Sequence, residues 1–169
     1  MPKKTTIGLI CGGTSGEHEV SLVSAYNIQA ALDREKYKVL IIAIDKNGDW
    51  YLGDDPEFLE DVHDVRQVTF KKNMATALPK VERSFSENLT ATGKYGNELA
   101  EVDVFFPITH GKKGEDGSLQ GLLELLGKPY VGADVYGSAI CMDKDVTKRL
   151  LKHHSIPVSK YKLLRNPDE

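Results

Sequence analysis

Two short apolar runs near the start of the chain constrain its fold more than any other feature of the sequence. Residues 38–45 are almost continuous in valine, leucine and isoleucine, which is typical of a strand covered on both faces. Residues 6–11 form a similar run that ends at two glycines. Between these runs, one helical face of residues 21–32 carries Leu22, Ala25, Ile28 and Leu32. This β-α-β pattern predicts a right-handed crossover and a parallel sheet.

A second junction between a strand and a helix lies in the later half of the chain. An apolar run at residues 102–109 leads into a loop at 110–121, and leucines leave that loop at helical spacing. The loop begins with His110, carries three glycines spaced three positions apart at 111, 114 and 117, and contains two carboxylates. Open α/β sheets bind ligands at the carboxyl ends of their strands, so this loop is predicted to line a ligand site.

The remaining elements complete an open, mostly parallel α/β sheet flanked by helices. In chain order they are a short antiparallel strand at 50–52, helices at 135–142 and 143–154, and a last strand at 158–164. Residues 53–100 are predicted to hold short strands or a helix, with a loop at 84–96. Because no helix follows the last strand to cover it, we expect the chain to be a piece of a longer protein.

Composition and charge exclude several classes of protein. The net charge of −3, with both signs mixed along the chain, argues against nucleic acid as a partner. No apolar run approaches the roughly 18 residues of a membrane span, and no secretory segment precedes the first strand. We therefore expect a cytoplasmic protein without a membrane partner. Cys11 and Cys141 show no metal-type spacing and are expected to be small buried residues.

The glycine-rich turn after the first strand is a candidate binding loop. Its sequence, GGTSGEHEVS at 12–21, matches neither the dinucleotide fingerprint nor the P-loop in spacing. A carboxylate here could hold a cationic group such as an ammonium, and the start of the helix could receive an anion. Equally, Glu17 and Glu19 could merely offset the helix dipole while Ser15 caps the helix. The pattern alone leaves both interpretations open.

The loop at 110–121 offers one residue with functional chemistry. His110 could act as a base or donate a hydrogen bond to a carboxylate, or its ring could simply be satisfied by the backbone. Glu115 and Asp116 are expected to be structural, and either Asp116 or Ser118 is expected to cap the following helix.

A third segment, residues 142–148, could reach a phosphate through Lys144. Asp143 is the expected N-cap of its helix, and the alternative is a set of solvated helix charges. The other histidines, His18, His153 and His154, are interpreted as surface or packing residues.

Taken together, three segments resemble the N-terminal portion of D-alanine–D-alanine ligases, members of the ATP-grasp superfamily. They are GGTSGEHEVS at 12–21, HGKKGEDGSLQGLLELLGKPYVG at 110–132 and SAICMDKDVTKRLL at 138–151. The resemblance implies a Rossmann-like, pre-ATP-grasp substrate domain at 1–137 and the beginning of an ATP-grasp central domain at 138–169. It also implies an enzyme that uses ATP to make an acyl phosphate of one D-alanine, which a second D-alanine attacks.

The resemblance also assigns roles to individual residues. Glu17 would anchor the ammonium of the first substrate and His110 would contact its carboxylate end. Val20 and Ser21 would lie against that substrate, and Lys144 would contact the phosphates of ATP. The Mg²⁺ ligands of the family would lie beyond residue 169, and a homodimer is implied.

The sequence is compatible with two alternative functions. One is a relative that makes D-alanyl-D-lactate or D-alanyl-D-serine, and the other is a non-catalytic α/β binding module. An enzyme requires Glu17 and His110 to face one cleft.

Overall fold

A computed structural model describes residues 3–53, 57–72, 76–77 and 99–165. The strands are β1 (Thr5–Gly12), β2 (Tyr37–Ile44), β3 (Trp50–Gly53), β4 (Leu59–Glu60), β5 (Thr69–Phe70), β6 (Thr76–Ala77) and β7 (Val104–Pro107). The helices are α1 (His18–Ala31), α2 (Ser118–Leu125), α3 (Val135–Met142) and α4 (Lys144–His153). No helix in these described ranges is long and apolar enough to cross a bilayer.

The main sheet has five strands in the order β6-β3-β2-β1-β7. Strand β1 pairs in parallel with both β2 and β7, whereas β3 runs antiparallel to β2 and to β6. Four of the five strands therefore point the same way, which confirms the predicted mostly parallel sheet. The antiparallel return at residues 50–52 is confirmed as well. Strands β4 and β5 form a separate two-stranded sheet.

Helices cover both faces of this sheet, as the continuous apolar runs predict. Leu9, in β1, packs in the cluster that contains Leu22 of α1. The next residue, Ile10, points to the other face and packs with Leu119 and Leu123 of α2. Because successive side chains of a strand alternate between faces, a strand buried on both sides needs apolar residues at every position.

The predicted strand at 158–164 is wrong. These residues pair with no strand within the described part of the chain, and a β-strand needs a neighbour for its backbone hydrogen bonds. Tyr161 instead packs beside α4. Its hydroxyl donates to Asp145 at 3.2 Å, and the ammonium groups of Lys148 and Lys152 lie 4.7 and 4.6 Å from its ring centre.

Two further predictions concern the cysteines and the middle of the chain. Cys11 is fully buried, and burial raises the pKa of its thiol to about 12. The prediction for Cys141 is wrong: its side chain is exposed, because α3 buries only Ser138. Short strands do occur in the middle region, as β4, β5 and β6, whereas the predicted loop at 84–96 lies outside the described residues.

Candidate functional site

The site lies where the connections of the sheet change direction. The chain leaves β1, passes through α1 to β2 on one side, and later returns as β7 on the other side of β1. The loops after β1 and β7 therefore meet at the carboxyl ends of two adjacent parallel strands. Such a topological switch point is where open α/β sheets form their ligand crevice. Below, loop A is residues 13–17 and loop B is residues 108–117.

The junction between β1 and loop A consists of two glycines in the left-handed region. Gly12 has φ +80° and Gly13 has φ +113°. A Cβ at Gly12 would lie 2.2 Å from the carbonyl oxygen of Ile44, so that position requires glycine. Gly13 has open space above it, which leaves this end of the sheet accessible.

Beneath loop A, two buried side chains of α1 hold its backbone. Nδ1 of His18 lies 2.9 Å from the carbonyl oxygen of Gly13, so His18 is a packing residue. The Ser21 hydroxyl accepts from the backbone N–H of Gly12 at 2.8 Å and donates to the carbonyl of Ile108 at 2.7 Å. Ser21 is completely buried and fully bonded, so it supports the two strand ends from below.

The carboxylates of α1 differ in their partners. Glu19 pairs with Lys46 at 2.5 Å, and this hydrogen bond lowers the pKa of Glu19. Glu17 occupies the N-cap position without a side-chain capping bond, and its carboxylate has no hydrogen bond or ion pair within the described ranges. Ser15 does not cap α1 either, since its hydroxyl bonds the N–H of Glu17, the N-cap residue itself, at 3.2 Å. The prediction that Ser15 caps α1 is therefore wrong.

Loop B is held by its own carboxylates. Glu115 accepts from the N–H of Gly111 at 2.7 Å. Asp116 accepts from the N–H groups of Lys113 at 2.9 Å and Ser118 at 3.0 Å, and the bond from Lys113 is the main reason that the pKa of Asp116 is lowered. The structural role expected for both carboxylates is confirmed. The N-cap of α2 is Gly117, although Asp116 does bind the first N–H of the helix.

His110 presents an uncommitted ring at the start of loop B. Its side chain is about a quarter exposed, and its Nδ1 lies 3.8 Å from a carboxylate oxygen of Glu115. Its Nε2 is buried without a hydrogen-bond partner among the described residues. The alternative in which backbone groups satisfy this ring is not what the structure shows. The ring also lines a cavity of about 400 Å³ with Gly13, Thr14, Thr109, Gly114 and Leu119.

The two loops touch beside His110. The Ser15 hydroxyl donates to the carbonyl of His110 at 2.7 Å. A Cβ at Gly111 would lie 3.2 Å from the Glu17 carboxylate and 3.0 Å from the Cβ of Ser15. Glu17 and His110 therefore lie at the same end of the sheet. The sequence does not indicate Ser15 and Gly111 as contact residues, because nothing in a serine and a glycine of two distant loops shows that they meet.

The other predicted site residues lie at different depths and distances. Val20 is 46% exposed on the first turns of α1. Lys144 begins α4, and its ammonium donates to the carbonyl of Cys141 at 2.9 Å, so no described contact brings it to Glu17 or His110. Asp143 caps α4 as predicted, accepting from the N–H groups of Asp145 and Val146.

The described part of the chain offers no group of three histidine, cysteine or carboxylate side chains that could hold a metal ion.

Comparison with known proteins identifies relatives of this chain. A family model described as "D-ala D-ala ligase N-terminus" matches residues 6–133. The D-alanine–D-alanine ligase of Blochmanniella floridana is 43% identical over 162 residues, which cover 96% of this chain and 44% of that protein. The chain thus spans less than half the length of this relative.

Solved structures give the same result. The D-alanine–D-alanine ligase from Coxiella burnetii is 41% identical, with a TM-score of 0.72, over 94% of this chain and 44% of that one. The VanG D-Ala:D-Ser ligase from Enterococcus faecalis is 30% identical, with a TM-score of 0.65 and the same two coverages.

Proposed function

The chain belongs to the D-alanine–D-alanine ligase family, and we propose that it forms the first-substrate side of an ATP-dependent enzyme that makes D-alanyl-D-alanine for peptidoglycan. Residues 1–137 would be the substrate domain and residues 138–169 the beginning of the ATP-grasp central domain. The observation that carries the proposal is the contact between the free carboxylate of Glu17 and loop B beside His110.

Glu17 suits the ammonium group of the first D-alanine. Its carboxylate is exposed, has no partner in the described ranges and lies against Gly111. A charged hydrogen bond to an ammonium is among the stronger ones available to a protein. Anchoring that end fixes where the reacting carboxylate lies, and such positioning is a large part of the catalysis of a reaction between two bound groups.

His110 suits the opposite end of the same substrate. It lies one residue from the Gly111 contact, and within the described ranges its ring has no backbone hydrogen bond to break before it binds a ligand. A protonated or neutral imidazole can donate to the carboxylate that becomes the acyl phosphate and stabilise the charge that develops there.

The remaining residues take supporting roles in the proposal. Val20 offers an exposed apolar side chain for the substrate methyl group. Ser21 acts from below, by holding the ends of β1 and β7, since its hydroxyl is already bonded twice. Lys144 would contact ATP phosphates after leaving the carbonyl of Cys141. ATP is the phosphoryl donor of the proposed reaction, and Mg²⁺ would be held by residues outside this chain.

The proposal extends to the setting of the enzyme. A homodimer in the cytoplasm, with D-alanine and ATP as its small-molecule partners, is the arrangement implied by the family. A D-alanyl-D-serine ligase is the second candidate, and the likeness to VanG favours it as the alternative. A binding module without catalysis would not require a free carboxylate and an uncommitted imidazole in touching loops.

The test uses the full-length protein that contains this chain. Phosphate release is measured with D-alanine as first substrate and D-alanine, D-serine or D-lactate as second. Glu17→Gln is expected to raise the KM for the first D-alanine by about tenfold or more, because a charged hydrogen bond is lost. Glu35→Gln, an exposed glutamate before β2, is the matched control and should leave KM unchanged.

Each result bears on a different part of the proposal. Absence of D-alanine-dependent phosphate release from the wild-type protein would overturn the function. Unchanged KM and kcat in Glu17→Gln would overturn the anchor role alone.

A further inference from the structure

Ser15 occupies the point where loop A and loop B are joined. Its hydroxyl donates to the carbonyl of His110 at 2.7 Å and accepts from the N–H of Glu17 at 3.2 Å. One side chain thus bonds the backbone of both residues that the proposed function places on the substrate. The two bonded residues are 93 positions apart in the chain, so nothing local fixes their separation.

Gly111 gives independent evidence that the loops are fitted to each other here. Its φ of +73° lies in the left-handed region, and a Cβ on it would lie 3.0 Å from the Cβ of Ser15 and 3.2 Å from the Glu17 carboxylate. These distances are tighter than ordinary van der Waals contact, so a side chain at position 111 would displace Ser15 and Glu17 by a few tenths of an ångström. Glycine also suits the left-handed backbone at this position.

Ser15 differs from the other two serines near it. Ser21 is fully buried and ties the strand ends, so its loss would disturb the core. Ser24 is on the same helix as Ser21, and its hydroxyl bonds only the carbonyl of Val20, one turn back. Ser15 is partly exposed and bonds across the loops, so its loss would free loop A from loop B while leaving the core packed.

We propose that Ser15 is a positioning residue for the first amino-acid substrate, setting the separation between the Glu17 carboxylate and the His110 ring. This inference rests on the proposed function. The ammonium and carboxylate of an α-amino acid are a fixed distance apart, so the groups that bind them must also be a fixed distance apart. A shift of about 1 Å at the edge of such a site is enough to lower the rate strongly.

The test compares three variants of the full-length ligase. Ser15→Ala removes the hydroxyl, Ser15→Thr keeps it, and Ser24→Ala removes a hydroxyl that bonds only its own helix. Ser15→Ala is expected to raise the KM for the first D-alanine about tenfold, the equivalent of one hydrogen bond. The KM for ATP, and the melting temperature to within a few degrees, should stay at the wild-type values. Ser15→Thr should restore most of the binding, and Ser24→Ala should match wild type.

A double-mutant cycle distinguishes positioning from general damage. If Ser15 acts through Glu17, then Ser15→Ala should add little to the KM of Glu17→Gln. Independent, additive losses would overturn the inference, as would an unchanged KM for D-alanine in Ser15→Ala or an equal rise in both substrates' KM. A wild-type protein without ligase activity would overturn the proposed function and this inference with it. Normal wild-type activity with an unaffected Ser15→Ala variant would overturn this inference alone.

Discussion

The end of the sheet and the helix pair α3–α4 each carry proposed site residues, but they hold them by different means. At the sheet end, Ser15 and Ser21 make hydrogen bonds that span 95 and 87 positions of the chain. On the helix pair, the ammonium of Lys144 bonds a carbonyl three positions back, and α4 has no buried residue. Long-range contacts fix the first region, whereas local ones fix the second.

The part of the proposed site at the sheet end is therefore held in place by the core, whereas the part on α4 can still change its conformation. Strand β1 is buried on both faces, and β7 packs Phe105 and Phe106 against the core clusters on opposite faces, so the loop ends cannot move without disturbing the core. Lys144 begins a helix that has no buried residue. The Lys144 side chain can therefore change its direction at little cost in packing. We therefore expect substitutions in the sheet to lower the stability of the whole fold, and substitutions on α4 to affect that helix alone.

The largest expected contrast is between two leucines. Leu9→Ala, in the fully buried centre of β1, is expected to lower the free energy of unfolding by about 3 kcal/mol, because it removes buried contacts and leaves a cavity. Leu150→Ala, on α4 with 42% of its surface exposed, should cost less than about 1 kcal/mol. Urea unfolding followed by the fluorescence of Trp50, the single tryptophan, measures both. Equal losses would remove the distinction between the two regions.

A second contrast uses two glycines with similar backbone angles. Gly111 has φ +73° and Gly127 has φ +63°, but only Gly111 has neighbours within 4 Å of an added Cβ. Alanine at either position should cost roughly 1–2 kcal/mol of stability through backbone strain. Only Gly111→Ala should also raise the KM for D-alanine in the full-length ligase, because it pushes Glu17 and Ser15 away. A raised KM in Gly127→Ala would show that strain alone is responsible.

The sheet could be predicted from sequence because its signal is local. Residues 6–11 and 38–45 are nearly continuous in apolar residues, and the structure places them in β1 and β2 in parallel register. The strand predicted at 158–164 failed because a strand depends on a partner that its own sequence does not contain. Cys141 failed for a related reason: a small apolar run indicates burial only if another surface covers it.

The sequence indicates individual candidate residues for the site but not how they are arranged. The glycine loops and the resemblance point to Glu17 and His110 separately. Their two loops meet through Ser15 and Gly111, and that meeting is a consequence of the strand order β2-β1-β7. That order follows from packing between distant segments, which one sequence does not reveal.

A third prediction concerns the helix that buries nothing. Asp143 accepts from the N–H groups of Asp145 at 2.9 Å and Val146 at 3.0 Å at the start of α4. Asp143→Ala should destabilise α4 by about 1 kcal/mol, since a good N-cap contributes that much. Amide hydrogen exchange should speed up in α4 and stay unchanged in β1. Asp134→Ala, the cap of α3, is the matched control, and it should leave exchange in β1 unchanged too. Faster exchange in β1 after either substitution would contradict the expectation that each cap stabilises only its own helix.

The smallest expected effect is a pH dependence within loop B. Hydrogen bonds from the backbone N–H groups of Lys113 and Ser118 lower the pKa of Asp116 in the folded chain below its ordinary value. A carboxyl with a lowered folded pKa stabilises the fold fully above the unfolded pKa of about 3.9, and this contribution disappears as pH falls through the folded pKa. The difference in melting temperature between wild type and Asp116→Asn should therefore be constant from neutral pH down to about pH 5 and shrink in more acidic solution. A difference that grew on acidification would mean that the native carboxyl binds its proton more tightly than the unfolded one. In that case the hydrogen bonds from Lys113 and Ser118 could not be what stabilises the ionised carboxylate of Asp116 in the folded chain.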